Sequence, residues 1–354
     1  MLLSALLAGA CLPGYDPCFD PAAVIRSPTL LAVRADPPEA IYQPGDAAPQ
    51  IRLRALVALP ANGVPAPVQF QLRLCSPDPL SRCDDAVAPV VALSTDTENI
   101  DVLVQVPPAV IAQALVDDPL RGYGGVRVLA DLSLEGTGVS LRGGKLLLFS
   151  PHGAVPNRPI ELDGLHVAGP GRAAGTLVQG DHLNLNVQDN AVPVDQRPDV
   201  AQLTPVLRPG SLEEYDVTDL AGRRVHLLDQ VSYGFHATLH LYFGDPKRLD
   251  ANGGFSGWDQ LVGADVGDEP LAGAPPPAHG LVRVRGMAAA TNGRIWVVAH
   301  DTRGAEAWLW VYAGVTDARC CDPEICATSS KPTCPDLAEP ICDWSDLEQA
   351  KSFH

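Results

Sequence analysis

The tail of the chain gathers the residues with the most overt chemistry, Cys320-Cys-Asp-Pro-Glu-Ile-Cys326 followed by Cys334 and Cys342. Thiolates at this density suit zinc, but the CxxC knuckle that shapes structural zinc sites is missing. Disulfide bonding is therefore the expectation for Cys320, Cys321, Cys326, Cys334 and Cys342. Upstream, Cys75 and Cys83 bracket a proline-rich turn and are expected to pair with each other. His236-Ala-Thr-Leu-His240 has the spacing of two ligands on a helix, yet the glutamate of a zincin motif is absent and the neighbours alternate as in a strand. Both histidines are accordingly placed with Thr238 on a solvent face, in a structural role. Asp245, Asp250 and Asn252, ahead of Gly253-Gly254, offer the oxygens calcium takes, with Asp268 and Glu269 within reach if the loop folds back. Their register does not match an EF-hand, and turn formation is the expected use. No metal and no other cofactor is expected.

Three tryptophans raise a different chemistry. Trp308 and Trp310 share one face of a terminal strand, opposite Leu309 and Val311, and Trp296 lies on the strand before. Packing in a core or under the cysteine tail is the expectation; with the Leu/Val face buried, the alternative is an exposed platform of the kind that binds sugars. Asp301 and Arg303 flank a turn with Glu306 nearby. A turn-stabilising pair is expected there, with a recognition tip as the alternative. There is no G-x-S-x-G elbow, no P-loop and no G-x-G-x-x-G after a strand, so no catalytic residue is assigned.

The elements that must hold these groups are strands. In Val68-Gln-Phe-Gln-Leu-Arg-Leu-Cys75 the apolar residues Val68, Phe70, Leu72 and Leu74 share one face. Ile51 to Leu59 and Val126 to Leu134 alternate in the same way, with Arg127, Asp131 and Ser133 on the polar side of the latter. One polar face per strand predicts antiparallel sheets packed on one side. Two prolines open the one predicted helix, 108–116, a crossover between strands. Leu183, Leu185 and Val187 predict another strand, and Leu239, Leu241 and Phe243 a further one. Arg294–His300 and Ala307–Tyr312 predict a hairpin in which Gly304 supplies the positive φ. Residues 245–279, rich in Pro, Gly and Asp, predict a long surface excursion.

Regular short strands with turn signals predict an all-β chain of two tandem Ig-like antiparallel β-sandwich domains and a disulfide-rich C-terminal tail. The expected boundaries are 24–150 for the first sandwich, 151–159 for the linker, 160–314 for the second sandwich and 315–354 for the tail. The phrases Leu31-Ala-Val-Arg-Ala-Asp-Pro-Pro-Glu39, Ser211-Leu-Glu-Glu-Tyr215 and Ala299-His-Asp-Thr-Arg-Gly304 resemble those of Ig-like predicted lipoproteins of high-GC bacteria. The resemblance covers both sandwiches loosely, stops before the tail, and brings no catalytic residues.

The first eleven residues, Met1-Leu-Leu-Ser-Ala-Leu-Leu-Ala-Gly-Ala-Cys11, resemble the lipobox of a bacterial lipoprotein signal peptide. The resemblance implies a signal peptide at 1–10, a diacylglycerol on Cys11, and a tether at 11–23 reaching roughly 40 Å at most. Leu12 in place of aspartate implies sorting to the outer membrane, facing periplasm or cell surface. With Cys11 lipidated, eight of the nine cysteines remain, an even number that suits an oxidising compartment. The five in the tail need one partner elsewhere, and Cys18 is left for it once Cys75 and Cys83 pair; the wider connectivity stays open.

A net charge of −17 excludes nucleic acid as an expected partner, because binding phosphates needs clustered Lys and Arg. The expected partners are the membrane, through the lipid anchor, and an envelope protein or glycan. The function expected is a non-enzymatic interaction or structural module of the cell envelope. Glycan binding or adhesion is the first alternative and an unrecognised envelope hydrolase the second.

Overall fold

The computed structural model describes residues 25–60, 63–77, 83, 91–97, 100–169, 172–186, 201–218, 223–239, 241–244, 282–286 and 291–316. Cys11, Cys18, the five tail cysteines, His240 and the loop residues Asp245, Asp250 and Asn252 lie outside them.

Eight strands and one helix make the first sandwich: β1 (Thr29–Asp36), β2 (Glu39–Ile41), β3 (Gln50–Ala58), β4 (Pro67–Cys75), β5 (Val91–Asp96), β6 (Ile100–Gln105), α1 (Pro108–Asp117), β7 (Val126–Gly136) and β8 (Val139–Ser150). One sheet has the order β1-β3-β6 and the other β2-β8-β7-β4-β5. This is Ig topology, with the first strand split so that β2 crosses to the opposite sheet and runs parallel to the last strand. The alternation explains the layers. Ile51 and Leu53 of β3, Phe70 and Leu72 of β4, and Leu132 and Leu134 of β7 are each at most 1 % exposed and meet in one core. Helix α1 takes Pro108 into its first turn, where a missing N–H costs no hydrogen bond, and buries Ile111 and Ala114 beneath the crossover from β6 to β7.

The second sandwich comprises β9 (Leu162–Gly169), β10 (Arg172–Leu177), β11 (His182–Asn186), β12 (Ala201–Leu207), β13 (Glu214–Thr218), β14 (Arg224–Leu228), β15 (Val231–Ala237), β16 (Leu241–Gly244), β17 (Val282–Gly286), β18 (Thr291–Asp301) and β19 (Glu306–Thr316). Its sheets are β10-β9-β12-β17-β16 and β11-β19-β18-β15, and β13 and β14 form a separate hairpin between β12 and β15. The split first strand recurs: β9 lies beside β12, whereas β11 runs parallel to β19. Leu165, Leu203, Phe235, Ile295, Val297 and Val311 fill this core.

Two sequence expectations need correction. The alternation through Leu239 and Phe243 is not one strand: β15 ends at Ala237, and β16 starts at Leu241 in the other sheet. Thr238 makes the break by accepting the Arg294 N–H on its Oγ1 at 3.0 Å while its own N–H donates to the Arg294 carbonyl. Val187, assigned to a strand with Leu183 and Leu185, lies outside the described residues. The polar side of β7 is not all solvated, since Asp131 is 5 % exposed. It accepts bonds from Arg142 Nη2 at 2.7 Å and from the Cys83 N–H at 3.3 Å. Burial pushes its carboxyl up, but those bonds and the charges of Arg142 and Arg73 outweigh burial and hold it below the usual range. The loop that supplies Cys83 is closed by a Cys75–Cys83 disulfide.

Candidate functional site at the junction of the two sandwiches

The β18–β19 hairpin lies along the first sandwich, and its two ends meet it with different chemistry. At the tip, residues 301–305 turn tightly because Gly304 adopts φ +92° and Asp301 ties the backbone. Asp301 Oδ1 accepts the N–H groups of Arg303 at 3.0 Å and Ala305 at 2.6 Å. Its other oxygen accepts from Asn157 Nδ2 at 3.0 Å, so the segment between the sandwiches is pinned to the turn. Asn157 is 3 % exposed.

Arg303 is the hub of this end. Its Nη2 donates to Glu39 Oε2 on β2 of the first sandwich and to the Val155 carbonyl at 2.9 Å. Its Nη1 stands 3.8 Å from Glu213, and its guanidinium lies 4.5 Å over the Tyr215 ring at the root of the β13–β14 hairpin. Glu39 also accepts from Ser150 Oγ and from the Asn157 N–H at 2.8 Å. Asp229 closes the group. It is 1 % exposed, receives Thr302 Oγ1 on Oδ1 at 3.4 Å, and has no hydrogen-bond partner on Oδ2. Burial, then the charge of Asp301, push its carboxyl up to about 6, with Arg303 opposing. Asp301 is likewise raised, by burial, against the bonds from Asn157 and the turn amides.

A second ion pair crosses the junction beside the turn. Lys145 Nζ on β8 donates to Glu306 Oε1 at 2.7 Å and to the Gly304 carbonyl at 2.6 Å. Glu306 Oε2 accepts the Val33 N–H of β1 at 2.8 Å, and His300 Nδ1 stands 3.5 Å from Oε1. Burial raises the Glu306 carboxyl, but His300 and Lys145 together hold it below the usual range.

Farther along the hairpin the contact turns apolar. Ile25 and Ala58 of the first sandwich pack with Trp296, and Leu31, Leu56 and Trp310 border them. The Ile25 N–H donates to the Ala237 carbonyl at 2.7 Å, so backbone also joins the two units. This packing covers the tryptophan face at Trp296 with the first sandwich, so the alternative of an open platform does not hold there. Leu309 and Val311 do face the core, as the alternation implies, but the other face is covered at Trp296, which is 2 % exposed. Trp310 is part-buried, with the Arg294 guanidinium 4.9 Å over its ring; Trp308 is also part-buried. His236 is not on a solvent face either. It is part-buried beside Trp296 in the β15–β18 register, its Nδ1 is sealed without a hydrogen-bond partner, and burial with the nearby His300 lowers its pKa to about 4.

The expected Cys75–Cys83 pair is present. Asp301 stabilises its turn, as expected, but that turn is a buried joint rather than a recognition tip. The partners Glu39, Lys145, Asn157 and Asp229 had no motif to announce them. The local signal at Lys145 is a charged residue placed directly before the apolar run Leu146-Leu-Leu-Phe149. The arrangement orients chains and stores charge; among the described residues no cluster of three or more His, Cys, Asp or Glu could hold a metal ion.

Neither a protein-family model nor a curated protein sequence matches the chain. Among solved structures it is similar to fibronectin(III)-like modules of Clostridium thermocellum CbhA, at 12 % identity over 81 % of this chain and 96 % of that one, with a TM-score of 0.22. A chimeric titin Z1Z2 tandem gives 11 % identity over 82 % and 99 % of the two chains, with a TM-score of 0.20. Murine CEACAM1b gives 10 % identity over 80 % and 100 %, with a TM-score of 0.18.

Proposed function

We propose that this chain is a lipid-anchored module of the bacterial cell envelope, held at the outer membrane through Cys11. Its work is to present a rigid pair of Ig-like sandwiches to an envelope protein or glycan. The observation that carries the reading is the junction: Arg303, Glu306 and Lys145, the charged groups nearest to forming a polar site, are engaged in joining one sandwich to the other. A mutually bonded network of this kind fixes orientation, which is what a spacer or docking unit needs and what a catalytic cleft does not. A non-enzymatic role follows on this reading. Among the described residues no helix is long and apolar enough to cross a membrane, so within them anchoring has no helical source.

The test is chemical cross-linking in intact cells followed by purification, with intact-mass analysis of the purified chain. The reading expects a mature chain starting at a lipidated Cys11, cross-linked to a defined envelope component. A chain recovered with unmodified Cys11 would contradict the anchor. Turnover of an envelope substrate by the purified protein would contradict the non-enzymatic role.

A further inference from the structure

Glu39 and Glu213 face the part-buried guanidinium of Arg303, whose charge also reaches Asp229, and the carboxylate of Asp301 lies near enough to raise Asp229 by its own charge. Arg158, among the described residues, also stands at the cluster, 2.8 Å from Glu213 but 72 % exposed. Glu39 has three donors, Ser150, Asn157 and Arg303, and Asp301 has Asn157 and the turn amides. Asp229 is weakly supported: a long bond from Thr302 and one from the Glu213 backbone amide are its donors, and its Oδ2 is sealed with no hydrogen-bond partner, as is Oε2 of Glu213. An ionised oxygen in that position is costly, whereas a neutral carboxyl costs far less. A site with surplus buried negative charge lowers its energy by taking up a proton at its least satisfied member.

We propose that the junction is proton-operated, with Asp229 binding a proton in mildly acidic medium, so that the 301–305 turn closes against the first sandwich and the β13–β14 root more tightly there than at neutral pH. The inference does not depend on lipidation or on the choice of partner. With the turn open, solvent returns Asp229 to an ordinary carboxylate, which titrates near 3.9. With the turn closed it titrates at about 6. The closed form therefore binds the proton more tightly. Closure gains as pH falls below about 6, the gain is complete once the open form is also protonated, and it is lost as pH rises through about 6.

Other titrating groups face the same interface. Glu306 is held ionised by Lys145 and His300, and so keeps one state across this range. His236, at the apolar end, is lowered by burial and by His300, and works in the opposite sense, favouring opening as pH falls from about 6.5 toward 4. The two ends must therefore be read separately.

Hydrogen exchange of the full chain, disulfides intact and corrected for intrinsic rates, separates them by following the amides of 301–305 between pH 5 and 7.5. Protection of this segment is expected to rise about tenfold from pH 7.5 to 5, one decade per pH unit below the closed-state pKa. Asp229→Asn should give high protection and lose most of the pH dependence, leaving only what the raised carboxyl of Asp301 contributes, His236→Phe should keep the wild-type profile at the turn, and Asp301→Asn should move the transition to lower pH. Asp301→Asn retains a carbonyl oxygen for the turn amides, and so reports on Asp229 even if Asp229→Asn folds poorly. Identical profiles for wild type and Asp229→Asn would overturn the proposal. A profile abolished by His236→Phe but kept in Asp229→Asn would overturn it too, by moving the proton to the other end.

Discussion

The two ends of the β18–β19 hairpin meet the same sandwich by opposite means. At the Trp296 end the contact is a small apolar cluster with Ile25 and Ala58. At the Arg303 end it is a set of buried ions and amides. Apolar contact is non-directional, so burial at Trp296 favours docking without choosing among nearby orientations. The polar end adds little net energy, because desolvation offsets most of the attraction, but it fails badly when mis-set. The apolar end supplies adhesion and the polar end supplies angle and register.

Experiments can break that contrast. The largest effect is expected at the apolar end, where Trp296→Ala leaves a cavity at a residue 2 % exposed. It should lower stability by about 3–5 kcal/mol in denaturant unfolding. Next comes Lys145→Ala, which strands Glu306 with its main cation gone; a loss of about 3 kcal/mol is expected. The paired change Lys145→Met with Glu306→Leu should recover most of that loss, because two apolar groups need no partner. If the single and paired changes cost the same, the polar end is adhesive rather than directional. A control away from the junction is Cys83→Ser, which opens the Cys75–Cys83 loop over Asp131. It should cost roughly 2–3 kcal/mol in the first sandwich, read as a lower melting temperature, and leave exchange at 301–305 unchanged. The smallest effect is expected from His226→Ala on the β13–β14 hairpin. His226 sits in an exposed cluster with Asp216 and Glu214, and solvent screens such pairs, so the melting temperature should not move measurably.

How much of this was legible in the sequence follows from which forces act locally. The faces of β3 and β4 could be read because burial on one side alone leaves a period of two, and α1 because Pro107-Pro108 marks its start. The β18–β19 hairpin could be read because Gly304 is the residue its turn demands. The break at Thr238 could not, since the apolar alternation runs straight through it and only the Thr238–Arg294 bonds redirect the chain. The junction could not either. Glu39, Lys145 and Asp229 lie far from Arg303 and Glu306 in the chain and carry no spacing rule, and their meaning comes from two sandwiches lying side by side. Trp296 illustrates the same gap: its strand could be read, but that the first sandwich covers it could not.

Docking of the two sandwiches through this hairpin is the claim on which the rest stands, and nuclear Overhauser contacts in the full chain test it most directly. With methyl and aromatic labelling, the Trp296 indole should show contacts to the methyl groups of Ile25, Leu56 and Ala58, all of which lie in the first sandwich or its entry segment. A Trp296 ring with contacts confined to residues of the second sandwich would contradict the account.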